Sequence, residues 1–397
     1  MQSITSLYGS MVFNDQTMKK RLSADVYDRY HQCLKEGSEL SEADADVIAN
    51  EMKEWAVELG ATHYTHWFQP MTGITAEKHD SFIEPDGDSV IMKLSGKELI
   101  KGEADASSFP NGGLRSTFEA RGYTAWDMSS YAFIKDGTLC IPTVFLSYGG
   151  ESLDKKTPLL KSEELIEKQA KRLLHLLGKD VNSVITTVGA EQEYFLIDKQ
   201  MYQKRKDLVY TGRTLFGNRP PKTQELDDHY FGVIKPRVLA FMKELNEECW
   251  KLGIPAKTQH NEVAPCQHEL APIYTLTNRA CDQNQIVMEL MKKIADKHDL
   301  VCLLHEKPFD GINGSGKHNN WSMSADGENL LSPKGSDEQF LLFLSAVLQA
   351  VDEYPELLRV AAASAGNDHR LGGHEAPPAV LSVFIGDDLE HRIQNYI

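Results

Sequence analysis

The sequence lacks the features that mark membrane, secreted and disulfide-stabilised proteins. No run of about 18 consecutive apolar residues occurs, so no membrane-spanning helix is expected. The N-terminal stretch MQSITSLYGSMVFND has no basic start and no long apolar segment, so no signal peptide is predicted. The six cysteines are scattered and none forms a C-x-x-C pair, which favours reduced thiols in a cytoplasmic protein.

Basic residues are few relative to acidic ones. The chain has 42 Lys and Arg against 58 Asp and Glu, a net charge of −16. This balance argues against nucleic acid or an anionic membrane as a partner, although a local basic patch can still hold ATP or a carboxylate substrate. With 41% hydrophobic and 25% charged residues, the 397-residue chain has the composition of a globular protein of two or three domains.

Turn-forming residues divide the chain into two parts. Residues 1–60 are polar and helix-like, and residues 61–148 carry β-type runs broken by Gly and Asp. The stretch 147–158 is a linker candidate, which places a boundary near residue 155. We therefore predict an N-terminal domain over residues 1–155 and a second domain over residues 156–397.

The second part is predicted to mix amphipathic helices with polar strands. Three helices, each with an apolar stripe that faces the core, are expected: one capped by Ser162 and ended by Gly178, one from Pro236 to Leu252 and one from Asp282 to His298. Strands are predicted at 186–197, at 260–270 with a break at Pro265, and at 318–324. Their polar faces favour an antiparallel sheet with one face open to a site.

Four acids and one histidine on these strands form a candidate metal site. Glu191 and Glu193 are two apart, so one strand face carries both, and neighbouring carboxylates need a cation or a proton between them. Glu262 and Glu269 follow on the next strands, and His318 on the last. Oxygen-rich sets suit Mg²⁺ or Mn²⁺, and the histidine favours these over Ca²⁺, although a structural Ca²⁺ site and solvated strand faces stay open as alternatives.

Two loops complete the set of candidates. The segment 309–318 contains G-x-x-x-x-G-K, but His318 stands where a P-loop needs Ser or Thr and a strand follows, so we reject a P-loop. A glycine-rich loop whose backbone approaches a small substrate is the better interpretation. In the second loop Arg370 and Glu375 are five apart, and an arginine there can hold a carboxylate, although a charged surface turn is the simpler alternative.

Together these segments resemble glutamine synthetase. The shared motifs are G-x-E-x-E at Gly189–Glu193, N-E-V-A-P-x-Q-H-E at Asn261–Glu269, N-G-S-G-x-H at Asn313–His318 and R-L-x-x-x-E-A-P at Arg370–Pro377. Stretches that begin at Thr65, Gly113, Tyr210 and His305 look specifically like the type III group. The resemblance implies an α+β fold, in which an N-terminal β-grasp domain precedes a catalytic domain of curved antiparallel strands backed by helices.

The resemblance also implies a role for each matching residue. Glu193, Glu262 and Glu269 match the tighter metal site, and Glu191 and His318 match the nucleotide-side site. The loop residues then take substrate roles: Asn313 and Gly314 for glutamate, Arg370 for its α-carboxylate, Glu375 for ammonium, and Asp127 as the catalytic aspartate of the N-terminal domain.

The activity implied is ATP-dependent ligation of ammonia to glutamate through γ-glutamyl phosphate, with two or more Mg²⁺ or Mn²⁺ ions, in a ring-shaped homo-oligomer. The family continues beyond the R-L-x-x-x-E-A-P motif with phosphate-binding arginines and a further metal ligand, so we expect a truncated catalytic domain that depends on residues outside this sequence. A non-catalytic metal- or glutamate-binding subunit, or a regulatory subunit, is the alternative. Ligation of another amine is a third reading.

Overall fold

The computed structural model describes residues 3–103, 122–218, 222–332 and 336–362. The chain forms two compact units, each described by itself below. Unit 1 consists of residues 1–162, 246–255 and 281–289, and unit 2 consists of residues 163–245, 256–280 and 290–397. These units divide within a helix, between Ser162 and Glu163, and the boundary near residue 155 stays a prediction.

Helices and strands of both units are numbered in chain order. The helices are α1 (Ile4–Leu7), α2 (Asp15–Arg21), α3 (Ala24–Glu36), α4 (Glu42–Glu58), α5 (Gly96–Ile100), α6 (Lys156–Leu176), α7 (Lys199–Gln203), α8 (Lys206–Thr211), α9 (Pro236–Lys251), α10 (Thr277–Lys297), α11 (Asp337–Glu353) and α12 (Pro355–Ala362). The strands are β1 (His63–Trp67), β2 (His79–Ser81), β3 (Ile83–Asp86), β4 (Ser89–Met92), β5 (Lys101–Glu103), β6 (Gly122–Trp126), β7 (Phe133–Lys135), β8 (Thr138–Ser147), β9 (Val184–Asp198), β10 (Ala256–Asn261), β11 (Gln267–Pro272), β12 (Thr275–Leu276), β13 (Leu300–Leu303), β14 (Lys317–Ala325) and β15 (Glu328–Asn329). The predicted α+β class is confirmed.

Unit 1 packs helices against a mixed sheet. The strand order is β2-β1-β8-β6-β5, with β7 also paired to β8. Strand β1 runs parallel to β8, and the other pairs are antiparallel. The β7–β8 hairpin turns at Asp136-Gly137, and both residues have positive φ angles, as a two-residue hairpin turn requires. Residues Phe13, Tyr30, Ile48, Leu99 and Leu139 belong to one buried core.

Unit 2 contains the antiparallel sheet that the polar strands predicted. Its order is β10-β11-β9-β14-β15, and the long strand β9 also pairs with β12 and β13. Every strand pair of this sheet is antiparallel. Strand β14 reverses into β15 at Asp326-Gly327, where both φ angles are positive. Ala170 and Leu174 of α6 share one buried core with Met323 of β14.

The predicted helices are present, but two begin earlier than predicted. Helix α6 begins at Lys156 and not after Ser162, because Asp154 accepts a hydrogen bond from the Thr157 amide at 3.0 Å, three residues on, as an N-cap does. Ser162 instead donates to the Leu159 carbonyl at 2.7 Å. Helix α10 begins at Thr277, five residues before the predicted Asp282.

The predicted core stripes of α9 and α10 are largely confirmed, and the α6 stripe is confirmed in part. Phe241 of α9 and Met291 of α10 are buried. In α6, Ala170 and Leu174 are buried, whereas Leu165 is 60% exposed. None of the helices in the described part of the chain combines the length and the hydropathy that a membrane span requires.

Candidate metal centre

A row of acidic and histidine side chains crosses one face of the unit 2 sheet. In the strand register His260 of β10 faces Glu269 of β11, and Glu269 faces Glu193 of β9. On the other side of β9, Glu191 faces His318 of β14. Side chains that stand opposite each other in an antiparallel pair share a sheet face. The sheet therefore brings together residues from segments that are far apart in sequence.

Two groups of three side chains are close enough to share an ion. Glu191, Glu269 and His318 form one group, and His260, Glu262 and Glu269 form the other; within each group the ligand atoms lie within 4.8 Å of one another. Glu269 belongs to both groups. The His318 Nδ1 lies 3.3 Å from Glu191 Oε2. These groups unite four of the five predicted metal ligands.

Glu269 lies at the centre of the row, and its environment disfavours a bare negative charge. Burial, followed by the carboxylates of Glu262 and Glu191, raises the pKa of Glu269 to about 7. Its Oε1 atom is buried without a hydrogen-bond partner. A divalent cation would compensate both features, since it supplies the missing partner and the missing positive charge. The residues present therefore fit a metal ion.

Glu193 faces Glu269 and also contacts the glycine-rich loop. The Gly316 amide donates to Glu193 Oε2 at 2.7 Å, and the Glu193 amide donates to the Gly316 carbonyl at 3.2 Å. Glu193 is buried. Glu193 therefore joins the glycine-rich loop to the strand face that carries Glu269.

The glycine-rich loop, residues 311–316, is held by side chains from separate segments. Gln267 Nε2 donates to the Gly314 carbonyl at 2.6 Å and to Ser315 Oγ at 3.2 Å. Gln224 Nε2 donates to Asn313 Oδ1 at 3.0 Å, and Lys307 donates to the Ile312 carbonyl. Strand β14 follows the loop, so the rejection of a P-loop is confirmed. The backbone that carries Asn313 and Gly314 is therefore fixed beside the acidic row.

Because Gln267 connects the β10–β11 reversal to this loop, replacing it should loosen the loop. We expect Gln267→Met to lower the free energy of unfolding by about 1–3 kcal/mol, since leaving a buried hydrogen-bonding group without its partner costs about that much. Denaturant unfolding would measure the change. Gln200→Met, at an exposed position of α7, is the matched control, and equal unfolding free energies in both variants would contradict the role of Gln267 in holding the loop.

Glu262 is oriented by a histidine network that sequence reasoning missed. His229 Nδ1 donates to the Glu262 carbonyl at 2.6 Å. Asn261 Nδ2 donates to the Gly232 carbonyl at 3.0 Å, and its Oδ1 accepts from His268 Nδ1 at 3.0 Å. Burial, then the charge of His229, lowers the pKa of His268 to about 3, so this ring is neutral. His268 and Gln267 lie inside the N-E-V-A-P-x-Q-H-E motif, so the motif could have indicated that they belong to the site. No sequence pattern around His229 indicates its contact with Glu262.

Asp127, the predicted catalytic aspartate, lies in a buried ionic cluster of unit 1. Its carboxylate is 2.6 Å from Lys156 Nζ, which also lies 2.5 Å from Asp282. Ser130 and Gln69 donate to Asp282 at 2.7 Å each. Lys156 is 1% exposed. These contacts favour a structural role for Asp127, and a catalytic role for it stays a prediction.

Arg370 and Glu375, the other two residues predicted to be catalytic, lie outside the described residues.

Two sequence-family profiles match this chain. The profile described as glutamine synthetase type III N terminal matches residues 4–162, and the profile described as glutamine synthetase, catalytic domain, matches residues 168–381. A protein of Bacteroides fragilis (strain YCH46) named glutamine synthetase is 55% identical over 99% of this chain. A protein of Dictyostelium discoideum named type-3 glutamine synthetase is 51% identical over 99% of this chain.

The coverage of these relatives is partial. The chain spans 55% of the length of the Bacteroides fragilis protein and 55% of the length of the Dictyostelium discoideum protein. Among solved structures, a cryo-electron microscopy structure of Plasmodium falciparum glutamine synthetase aligns with a TM-score of 0.57 and 18% identity, and it covers 81% of this chain and 63% of that one. At this identity the structural match shows a shared fold.

Proposed function

Because the chain belongs to the glutamine synthetase family, in its type III branch, we propose that it takes part in ATP-dependent ligation of ammonia to L-glutamate, with glutamine, ADP and phosphate as products. One observation carries this proposal. Carboxylates and histidines from four neighbouring strands converge around Glu269, beside a glycine-rich loop that is fixed in place.

The proposed chemistry begins with an unreactive substrate. The γ-carboxylate of glutamate is a poor electrophile, because its leaving group would be oxide. Its oxygen attacks the γ-phosphorus of ATP, ADP leaves, and γ-glutamyl phosphate forms. The nitrogen of ammonia then attacks the carbonyl carbon of the γ-glutamyl phosphate, the bond from that carbon to the phosphate oxygen breaks, and phosphate leaves. Orientation of the reactants within one site can contribute about 7–11 kcal/mol to such steps.

The residues of this chain would hold and orient the reactants. Glu191, Glu193, Glu262, Glu269 and His318 would hold Mg²⁺ or Mn²⁺ ions. Such ions, when bound, neutralise charge on the transferring phosphoryl group. Because Glu269 is buried, its electrostatic attraction for such an ion would be stronger than in water.

The proposed substrate residues come from two separate segments of the sequence. Asn313 and Gly314 would position glutamate, with the loop backbone held by Gln267 and Gln224. In this proposal, which rests on the family motif, Arg370 pairs with the α-carboxylate of glutamate. Glu375 receives the proton that ammonium must lose before its nitrogen can attack.

The setting of the protein is also a proposal. The six cysteines all lie among the described residues and form no disulfide, and three of them are buried, which suits a reducing compartment such as the cytoplasm. A homo-oligomeric ring is proposed from the family motif, with no nucleic-acid partner in view of the net charge of −16.

A coupled assay of phosphate release tests the proposal. Purified protein should release phosphate only when glutamate, ammonium, ATP and Mg²⁺ or Mn²⁺ are all present, and methylamine should replace ammonium poorly. No release from folded protein that still binds the metal would overturn catalysis and favour a metal-binding or regulatory role. Release that is faster with methylamine would change the assigned amine.

A further inference from the structure

His260 is a part of the metal centre that the family motif does not assign. It lies on β10 directly opposite Glu269 of β11. Its Nδ1 donates to the Asn261 carbonyl at 2.7 Å. Because the hydrogen bond of one ring nitrogen decides which nitrogen is open to a metal, Nε2 is the ring nitrogen that could ligate an ion.

The Nε2 atom of His260 is directed at the centre of the acidic row. It lies 2.7 Å from Glu269 Oε2, and the ring nitrogen Nδ1 lies 3.6 Å from Glu262 Oε1. The Tyr230 ring packs edge-on against the His260 ring, with centroids 5.4 Å apart. The imidazole is therefore held between a backbone carbonyl and an aromatic ring, with Nε2 toward Glu269.

A second, independent observation indicates a ligand at this place. Glu269 is 6% exposed, and its Oε1 is buried without a hydrogen-bond partner. Glu193, which the motif assigns to the same ion, already has Oε2 bonded to the Gly316 amide. His260, Glu262 and Glu269 together place a nitrogen and two carboxylates within 4.8 Å of one another.

We propose that His260 ligates a divalent ion through Nε2, together with Glu262 and Glu269, and that this nitrogen makes the site prefer Mn²⁺ over Mg²⁺. Imidazole nitrogen binds first-row transition ions well, whereas Mg²⁺ favours oxygen. This inference rests on the proposed function, since it specifies the metal of the same site.

Pulsed electron paramagnetic resonance on Mn²⁺-loaded protein tests directly whether His260 is a ligand, and it does not require enzymatic activity. Since His318 also offers nitrogen, the comparison uses a His318→Gln background. Nitrogen modulation of the Mn²⁺ signal should persist in His318→Gln and disappear in the double variant His318→Gln/His260→Gln. The matched control is the double variant His318→Gln/His175→Gln, since His175 is an exposed residue of α6. This control should leave the nitrogen modulation unchanged.

Affinities separate ligation from a packing role. In His260→Gln the Kd for Mn²⁺ should rise about tenfold or more, while the Kd for Mg²⁺ should stay within about twofold because glutamine offers an oxygen. Equal weakening for both ions, tighter Mn²⁺ binding, or unchanged nitrogen modulation would overturn the inference while the metal site and the proposed function stand. No Mn²⁺ binding by the unaltered protein would overturn the metal site itself.

Discussion

Replacing Glu269 with glutamine is expected to abolish tight binding of Mn²⁺ and Mg²⁺. Glu269 is the one residue common to both groups of potential ligands. Loss of an outer residue that only hydrogen-bonds to a metal ligand weakens metal binding roughly 10–100-fold. Loss of the Glu269 carboxylate, a ligand itself, should therefore weaken binding by more than that. Isothermal titration calorimetry of each ion would measure this effect, and phosphate release should fall with the bound metal.

The same variant has a second expected effect that is independent of catalysis. Because burial and neighbouring carboxylates raise the pKa of Glu269 to about 7, the metal-free protein carries an unfavourable charge at alkaline pH. Glu269→Gln removes that charge, so the metal-free variant should melt at the same temperature as the metal-free unaltered protein or at a higher one. The increase in melting temperature that Mn²⁺ produces in the unaltered protein should be absent in the variant.

The control for this variant is Glu164→Gln, at an exposed position of α6. It should bind both ions as the unaltered protein does. If Glu269→Gln retained the metal affinity of this control, the ion would have to lie elsewhere. A lower metal-free melting temperature would show that Glu269 has a structural role in addition.

Replacing Lys156 with methionine is expected to cost unit 1 about 3–5 kcal/mol of unfolding free energy. The variant leaves Asp127 and Asp282 buried without their shared cation. Although burial alone would lower the pKa of Lys156, the carboxylates of Asp282 and Asp127 raise it, so the lysine is charged in the folded protein. Denaturant unfolding would measure the change.

The pH dependence of this variant follows from the two aspartates. Burial already raises the pKa of Asp282, an effect that Lys156 opposes. Without the lysine, the folded-state pKa of Asp282 should rise further above its unfolded value. The stability deficit of Lys156→Met is therefore smallest at low pH, where this buried carboxyl group is protonated, and grows as pH rises through its folded-state pKa.

Lys155→Met provides a matched control at the next residue. Lys155 is exposed, and its side chain donates a hydrogen bond to the Gly73 carbonyl at 3.0 Å. Its replacement should change the unfolding free energy by less than about 1 kcal/mol. Equal effects of the two variants would mean that the buried cluster does not stabilise unit 1, which would restore a catalytic role as the better explanation for Asp127.

The acidic face could be predicted because it depends on short-range rules. Glu191 and Glu193 share a face through the two-residue period of a strand, and polar strand faces indicated an antiparallel sheet. The order β10-β11-β9-β14 was not available from such rules. Local patterns determine which side of a strand is polar, but they do not determine which strands are neighbours or in what register.

The partners that fix the site were missed for the same reason. Gln224 contacts Asn313 across 89 residues of sequence, and His229 contacts Glu262 across 33. Lys156 lies in the stretch predicted as a linker, yet the fold buries it between two aspartates. The cap of α6 was misplaced because Ser162 and Asp154 both suit a helix start, and only the structure shows which side chain meets an amide three residues on.

Anomalous diffraction at the manganese absorption edge, on crystals grown with Mn²⁺, tests the metal centre most directly. The structure predicts an anomalous peak within bonding distance of the Glu269 carboxylate, with Glu262 and His260 or Glu191 and His318 as the other ligands. Strong Mn²⁺ peaks elsewhere, with none beside Glu269, would contradict the assignment of this sheet face.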